Sequence, residues 1–385
     1  VSTPSDRRLV GVDATRGLAL LGMMAVHVLP AVGTDGGASV AHAIAGGRSA
    51  ATFAVLAGVG LALLTGGTNP HRGRPWAAAS AGLVVRALCI GAVGLLLGSV
   101  DSGVAVILAY YAVLFVLAIP LLPLRAAPLF ALGLTVACLV PVLSHLLRDD
   151  ARLPFAGRNP NFDTLRDSPG DLVPALLLTG YYPVLAWTAY LCVGLAAGRL
   201  QLRERRTAAW LCGGGVALAV AASTASWLLL DPLGGHDKIA ATLADPASLD
   251  TSLELGRYGN TPPTTWWWLA VVAPHSSTPL DLLHTIGVAL GLLGAMLLLA
   301  STGRSARAVL SPLAAAGSMT LSLYTAHVLL LASGALPEDR ATSYAVQVVA
   351  ALALAWLWRR FLGRGPLERV VAHLATPARR AIIRR

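Results

Sequence analysis

Runs of about 20 mostly apolar residues recur along the whole chain, and that recurrence constrains the fold more than any other feature. In hydrocarbon the backbone must satisfy its own N–H and C=O groups, so such runs are read as membrane-spanning helices. The windows fall near 9–31, 48–66, 78–99, 103–123, 127–147, 174–198, 207–230, 280–301, 312–335 and 343–362. The expected fold class is all-α, a polytopic transmembrane helix bundle of about ten spans. With 56% hydrophobic residues, 12% charged residues and a mean hydropathy of +0.68, a soluble globular chain is a poor description.

A formal charge of +10 would suggest nucleic acid in a soluble protein. Here the arginines sit in short loops between apolar runs, where they set orientation, and no nucleic-acid partner is expected. With the N-terminus inside, the inner segments carry 19 Arg and Lys residues, from Arg7 and Arg8 to the cluster after Arg359, against 8 in the outer segments. Both termini are therefore expected in the cytoplasm. Arg7 and Arg8 ahead of an apolar run also suit a signal peptide, but Asp13 and Arg16 inside that run favour a retained first helix. The single lysine, Lys238, and the excess of Ala, Gly, Val and Leu point to a GC-rich bacterial genome and a multi-pass protein of the inner (plasma) membrane.

Residues 1–385 read as one integral membrane domain with long outer loops at 148–173 and 231–279. Both loops are rich in turn-forming Pro, Gly, Asn and Asp. The run "TTWWWLAVV" suits an outer aromatic belt or a re-entrant segment. The tail, 363–385, is basic and amphipathic, which suits the anionic inner leaflet and makes membrane lipid a partner. Cys89, Cys138, Cys192 and Cys212 are scattered singly and are expected to be inert core thiols. No metal is expected, because no metal-ligand, P-loop or GxSxG motif occurs.

The first apolar run carries Asp13, Arg16 and His27, each costly in hydrocarbon without a partner. Eleven residues separate Arg16 from His27, which is about 20° beyond three helical turns, so they share a face roughly 16 Å apart along the axis. Asp13, three residues before Arg16, can pair with it. One polar face over most of the bilayer suggests a helix lining a hydrated path. The plainer alternative makes Asp13 and Arg16 an orientation signal and His27 a helix-packing hydrogen bond.

The stretch "VDATRGLALLGMMAVH" resembles the first helix of the transmembrane acyltransferase superfamily, whose acyltransferase-three branch has an Arg, ten residues and a His. Its D-x-x-R-G opening also resembles the heparan-alpha-glucosaminide N-acetyltransferase branch and YeiB-like bacterial membrane proteins. In that heparan branch the acyl-accepting His comes later, in the first outer loop, near His42 here. "GGRSAATFAVLAGVGLAL", "GSMTLSLYTAHVLLL" and "RRFLGRGPLERV" extend the likeness to the second helix and the C-terminal part. The resemblance implies an acyltransferase using acyl-CoA, most simply acetyl-CoA, as co-substrate. Both His27 and His42 are candidate catalytic residues, and Arg16, held by Asp13, is the candidate for the CoA phosphates. The catalytic His would act as general base on an outer acceptor, or as a nucleophile forming an acyl-imidazole.

Arg48 and Ser49 follow two glycines at the outer mouth of the second span and are candidates for acceptor binding, although an Arg at a span end also snorkels. His275 and His284 flank a helix start in which Thr278, Pro279 and Asp281 fit a cap. His327, with Tyr324 one turn earlier, lies mid-span and can equally serve as a packing hydrogen bond. The leading expectation is acyl transfer from cytosolic acyl-CoA to a glycan or glycolipid on the outer face, with room for a homo-oligomer. The alternatives are a proton-coupled transporter or flippase, which the absence of an internal repeat disfavours, and a non-catalytic scaffold of envelope assembly.

Overall fold

The computed structural model describes residues 9–383 except 35, 149–157, 258 and 260. Arg7, Arg8, Arg152, Arg384 and Arg385, which entered the charge tally, lie outside the described residues, as does part of the expected loop 148–173. The described residues are helical with no β-sheet. α1 (Val10–Val28) is followed by α2 (Val40–Ala45), which leads into α3 (Arg48–Leu64), then α4 (Gly73–Gly98), α5 (Leu108–Ala118) and α6 (Ala126–Leu147). A first connection holds α7 (Phe162–Asp167) and α8 (Pro169–Pro174) before α9 (Val184–Gly198) and α10 (Arg205–Leu230). A second holds α11 (Gly235–Ala240) and α12 (Leu249–Leu255). α13 (Pro279–Ser301), α14 (Arg304–Gly317), α15 (Thr320–Ala332), α16 (Arg340–Phe361) and α17 (Pro366–Ile383) complete the chain.

Among the described residues, six helices are long and apolar enough to cross a membrane, or up to eight if two bent pairs each form one span. The pairs are Pro169–Thr179 with Val184–Gly198, bent by 51°, and Arg304–Gly317 with Thr320–Ala332, bent by 66°. Each of the ten expected windows contains helix. However, α1 is diluted by its three ionisable residues, and α5 with its short extension reaches only from Leu108 to Leu121, so neither is among the six. The protein is a multi-pass membrane protein.

Burial separates centre from periphery. Of the most apolar stretch of each span, 61% is buried in Val40–Leu64 (α2 with α3) and 56% in α13, against 22–28% in α4, α6, α10 and α16, which expose Leu88, Leu139, Val220 and Val349. An apolar outward face on a buried-core bundle is what lipid contact requires. Small residues draw the central helices together: a Cβ on Gly317 of α14 would strike the Asp13 carbonyl of α1, and one on Gly194 of α9 would strike that of Val55 on α3.

Local signals set the ends. Thr278 caps α13 by accepting from the Asp281 N–H at 3.1 Å, with Pro279 in the first turn, and Asp339 caps α16 through the Thr342 N–H at 2.7 Å. After α9, buried Arg199 donates to the carbonyls of Ala62, Thr65, Gly67 and Leu122 and to Thr65 Oγ1, tying the ends of α3, α5 and α9 together. Burial lowers its guanidinium to about 10, which leaves it charged.

Two expectations are corrected. Trp268 is no belt residue: it is fully buried with Ile239, Leu249, Val271 and Ala273 in a compact core within the 231–279 segment, on a single turn from Trp266 to Ala270. Of the four cysteines, only Cys192 is a core thiol, and Cys138 is exposed on peripheral α6. The tail forms α17, which packs along α4 and buries Val371 and Ala375. Its Glu368 caps α15 by accepting from the N–H groups of Leu321 and Ser322 at 2.8 and 3.1 Å.

Candidate functional site

The polar face of α1 turns inward at both ends. Arg16 pairs with Asp13 at 3.3 Å and reaches the carbonyls of Gly317 on α14 and Leu56 on α3, each also at 3.3 Å. A Cβ on Gly60 would stand 3.2 Å from Arg16 Nη2, so that glycine keeps the guanidinium's berth open. These contacts are long, and a charge held by long bonds retains capacity for a stronger anionic partner.

His27, near the other end of α1, meets His327 of α15, Nδ1 to Nε2, at 3.1 Å, with the two rings nearly parallel at 15°. His327 Nδ1 lies 2.7 Å from Gln347 Oε1 on α16, and Gln347 Nε2 donates to Ser343 Oγ at 3.3 Å. An amide oxygen only accepts, so His327 carries its proton on Nδ1 and its lone pair on Nε2. His27 must then donate from Nδ1, leaving its own lone pair on Nε2. His27 also lines a small cavity with Ser49, Tyr182, His275 and Tyr324, floored by Met23 and Ile107. Gly22 makes room for Ser49 there, since a Cβ on Gly22 would collide with the serine hydroxyl. His327 thus makes a helix-packing hydrogen bond of the expected kind, and makes it to a residue that lines this cavity.

His42 lies on α2, the short helix capped by Ser39 in the connection between α1 and α3, and it is buried. Its Nε2 donates to the Leu255 carbonyl at 2.8 Å, which fixes the neutral ring with its lone pair on Nδ1. That Nδ1 has no hydrogen-bond partner among the described residues. His275 lies in the segment before α13 with a positive φ of 58°, its ring edge-on to Tyr182 at 5.7 Å. Burial, aided by repulsion from His42, lowers His275 to about 4 and keeps it neutral near pH 7.

Arg48 does not snorkel to a surface. It donates from Nε to His284 Nε2 at 3.2 Å and from Nη1 to the Ala43 carbonyl at 2.6 Å. His284 therefore carries its proton on Nδ1, which lies 2.8 Å from Ser223 Oγ and 3.2 Å from the Ala219 carbonyl on α10. Arg48 and His284 form a pair of their own beside the imidazole cluster. The structure thus brings His27, Ser49, His275 and Tyr324 to one cavity, joins His327 to His27 behind it, sets His42 beside His275, joins Arg48 to His284, and leaves Asp13 and Arg16 at the opposite end of α1.

The profile of the heparan-alpha-glucosaminide N-acetyltransferase catalytic domain matches residues 8–228, more than half of the chain. The chain belongs to that family. No curated protein matches it. The family uses acetyl-CoA, and membership implies acetyltransferase activity in a membrane. Asp13, Arg16, His27, His42, Arg48 and Ser49 lie inside the matched stretch, whereas His275, His284, Tyr324 and His327 lie beyond it.

Three polar residues around the His27 cavity were not singled out from sequence. Gln347 and Ser343 carried a legible signal, two polar residues four apart on an apolar span. Tyr182, at a helix-poor turn among aromatics, carried none. Among the described residues no group of three His, Cys, Asp or Glu side chains is placed to hold a metal.

Proposed function

We propose that the protein takes an acetyl or related small acyl group from cytosolic acyl-CoA and passes it to an amine or hydroxyl of an envelope glycan or glycolipid on the outer face of a bacterial plasma membrane. The reading takes ten spans, adding α1 and α5 to the six helices and two bent pairs, with both termini in the cytoplasm. The observation that carries it is the lone pair of His27 beside a cavity, on the same helix as Arg16 and roughly 16 Å from it. Arg16 takes phosphate on the inner side while the long pantetheine arm brings the thioester outward to the imidazoles.

In the reaction, the acceptor N–H or O–H gives its proton to the imidazole as its heteroatom attacks the thioester carbonyl. The tetrahedral adduct collapses by breaking the C–S bond, and the imidazolium returns the proton to the departing CoA thiolate. His27 and His42 are both built for this, each with one ring nitrogen fixed as donor and the other left as lone pair. Arg48 with Ser49 would orient the acceptor.

The two bent helix pairs favour a second reading, a transporter or flippase, because discontinuous helices often line translocation sites. Purified protein supplied with radiolabelled acetyl-CoA and envelope glycans separates the two. Label transfer that is lost in His27→Ala or His42→Ala supports the enzyme and identifies its base. Substrate flux into liposomes with no acyl-CoA present, and no transfer to any acceptor, supports the transporter.

A further inference from the structure

Arg86 sits about 20 Å along α4, midway through an apolar helix, and among the described residues it makes no hydrogen bond or ion pair. The charges facing it are Arg379, Arg364 and Arg16, all of one sign. α17 and the turn before it deliver two of them. The stem of Arg379 crosses α4 where Gly82 leaves space, its Cγ and Cδ only 2.6 and 2.8 Å from the position a Cβ there would occupy, one turn before Arg86. Arg364 precedes α17, its backbone held where its carbonyl accepts from Trp358 Nε1 at 2.9 Å.

The nearby acids are already committed. Asp13 pairs with Arg16, and Glu368 of α17 is spent on the start of α15. A guanidinium cannot shed its proton to relieve such crowding, and with Arg364 and Arg379 on the exposed side and both carboxylates engaged, the four leave an excess of positive charge that an added anion would offset. Their forked N–H groups match phosphate oxygens bidentately, and their approach from three separate elements suits a ligand with more than one phosphate.

We propose that Arg16, Arg86, Arg364 and Arg379 form a phosphate-binding site between α1, α4 and α17, with the C-terminal helix, outside the matched family stretch, as one of its walls. Acyl-CoA as the ligand rests on the acyltransferase reading; an anionic lipid headgroup offers the same chemistry.

The test is binding to protein purified in phosphate-free buffer, comparing CoA, dephospho-CoA and pantetheine by calorimetry, with native mass spectrometry of retained phosphatidylglycerol alongside. The variant is Arg364→Gln with Arg379→Gln, both at or on the peripheral tail helix, with Arg86→Gln as a second. A CoA site predicts roughly tenfold or greater loss of CoA affinity in the double variant, a smaller loss with dephospho-CoA and none with pantetheine. A lipid site predicts unchanged CoA affinity and loss of retained phosphatidylglycerol. Unchanged CoA binding and unchanged lipid retention in both variants overturn the proposal. Wild-type protein that binds CoA through these arginines yet transfers no acyl group would sink the enzyme reading and leave the site standing.

Discussion

Replacing Gln347 with leucine tests the proton arrangement of the imidazole chain. The side chain is buried, and its Oε1 holds the His327 Nδ1 proton at 2.7 Å. Leucine is close in size, so packing changes little, but a buried N–H is left without an acceptor at a cost of about 1–2 kcal/mol. His327 escapes that cost by moving its proton to Nε2, which faces His27 at 3.1 Å. His27 must then accept at Nδ1 and carry its proton at Nε2, the nitrogen that is otherwise its free base. A tautomer bias of about 1–2 kcal/mol lowers the reactive population, and with it kcat, roughly 5- to 30-fold. Direct loss of a general base costs about 100-fold or more, so Gln347→Leu falls well short of His27→Ala if His27 is the base. Gln347→Glu keeps an accepting oxygen and restores activity. The assay pairs kcat at saturating acetyl-CoA with nitrogen-15 NMR of histidine-labelled protein, where His27→Asn assigns the signal. A wild-type His27 protonated at Nε2, or a leucine variant with unaltered tautomer and turnover, refutes the reasoning.

Two further outcomes follow from groups outside the spans. Arg199→Met strips donors from the carbonyls of Ala62, Thr65, Gly67 and Leu122, which at about 1 kcal/mol each lowers stability by about 3–5 kcal/mol; Arg199→Lys recovers part of it, and thermal unfolding in detergent reads both. His275, lowered to about 4 against 6.5 when unfolded, binds its proton more readily in the unfolded chain. Stability therefore rises with pH between about 4 and 6.5, by about 2 kcal/mol after allowing for the ring's partial exposure to the cavity. His275→Asn, which tolerates the positive φ, flattens that slope in a pH series of melting curves.

What could be read from sequence was what has a period. Apolar runs gave the helices because hydrocarbon admits little else, and the eleven-residue interval gave Arg16 and His27 a shared face that packing with α3, α14 and α15 bears out. The cap on α13 was equally local, three residues from Thr278 to Asp281. Partners set by tertiary packing have no such period. His327 is 300 residues from His27, and only the break between α14 and α15 brings it there. Trp268 looked interfacial because three adjacent tryptophans say nothing of the small core that α11 and α12 build beneath one of them. Arg199 counted equally well as an orientation charge, and it took five backbone and hydroxyl acceptors in three dimensions to make it a clamp.

The same distinction accounts for the shape of the site. The residues within the matched family stretch supply the imidazoles of α1 and α2 and the inner arginine, each positioned by its own helix. The residues beyond it supply what orients them: His327 and Gln347 for His27, and α17 for the arginine cluster around Arg86. On the proposed reading, a base and a phosphate anchor placed on one helix have a fixed separation, so adjusting their chemistry falls to the helices packed against them. The C-terminal helices can therefore vary tautomer and anion affinity without altering the 16 Å spacing, roughly, that α1 imposes.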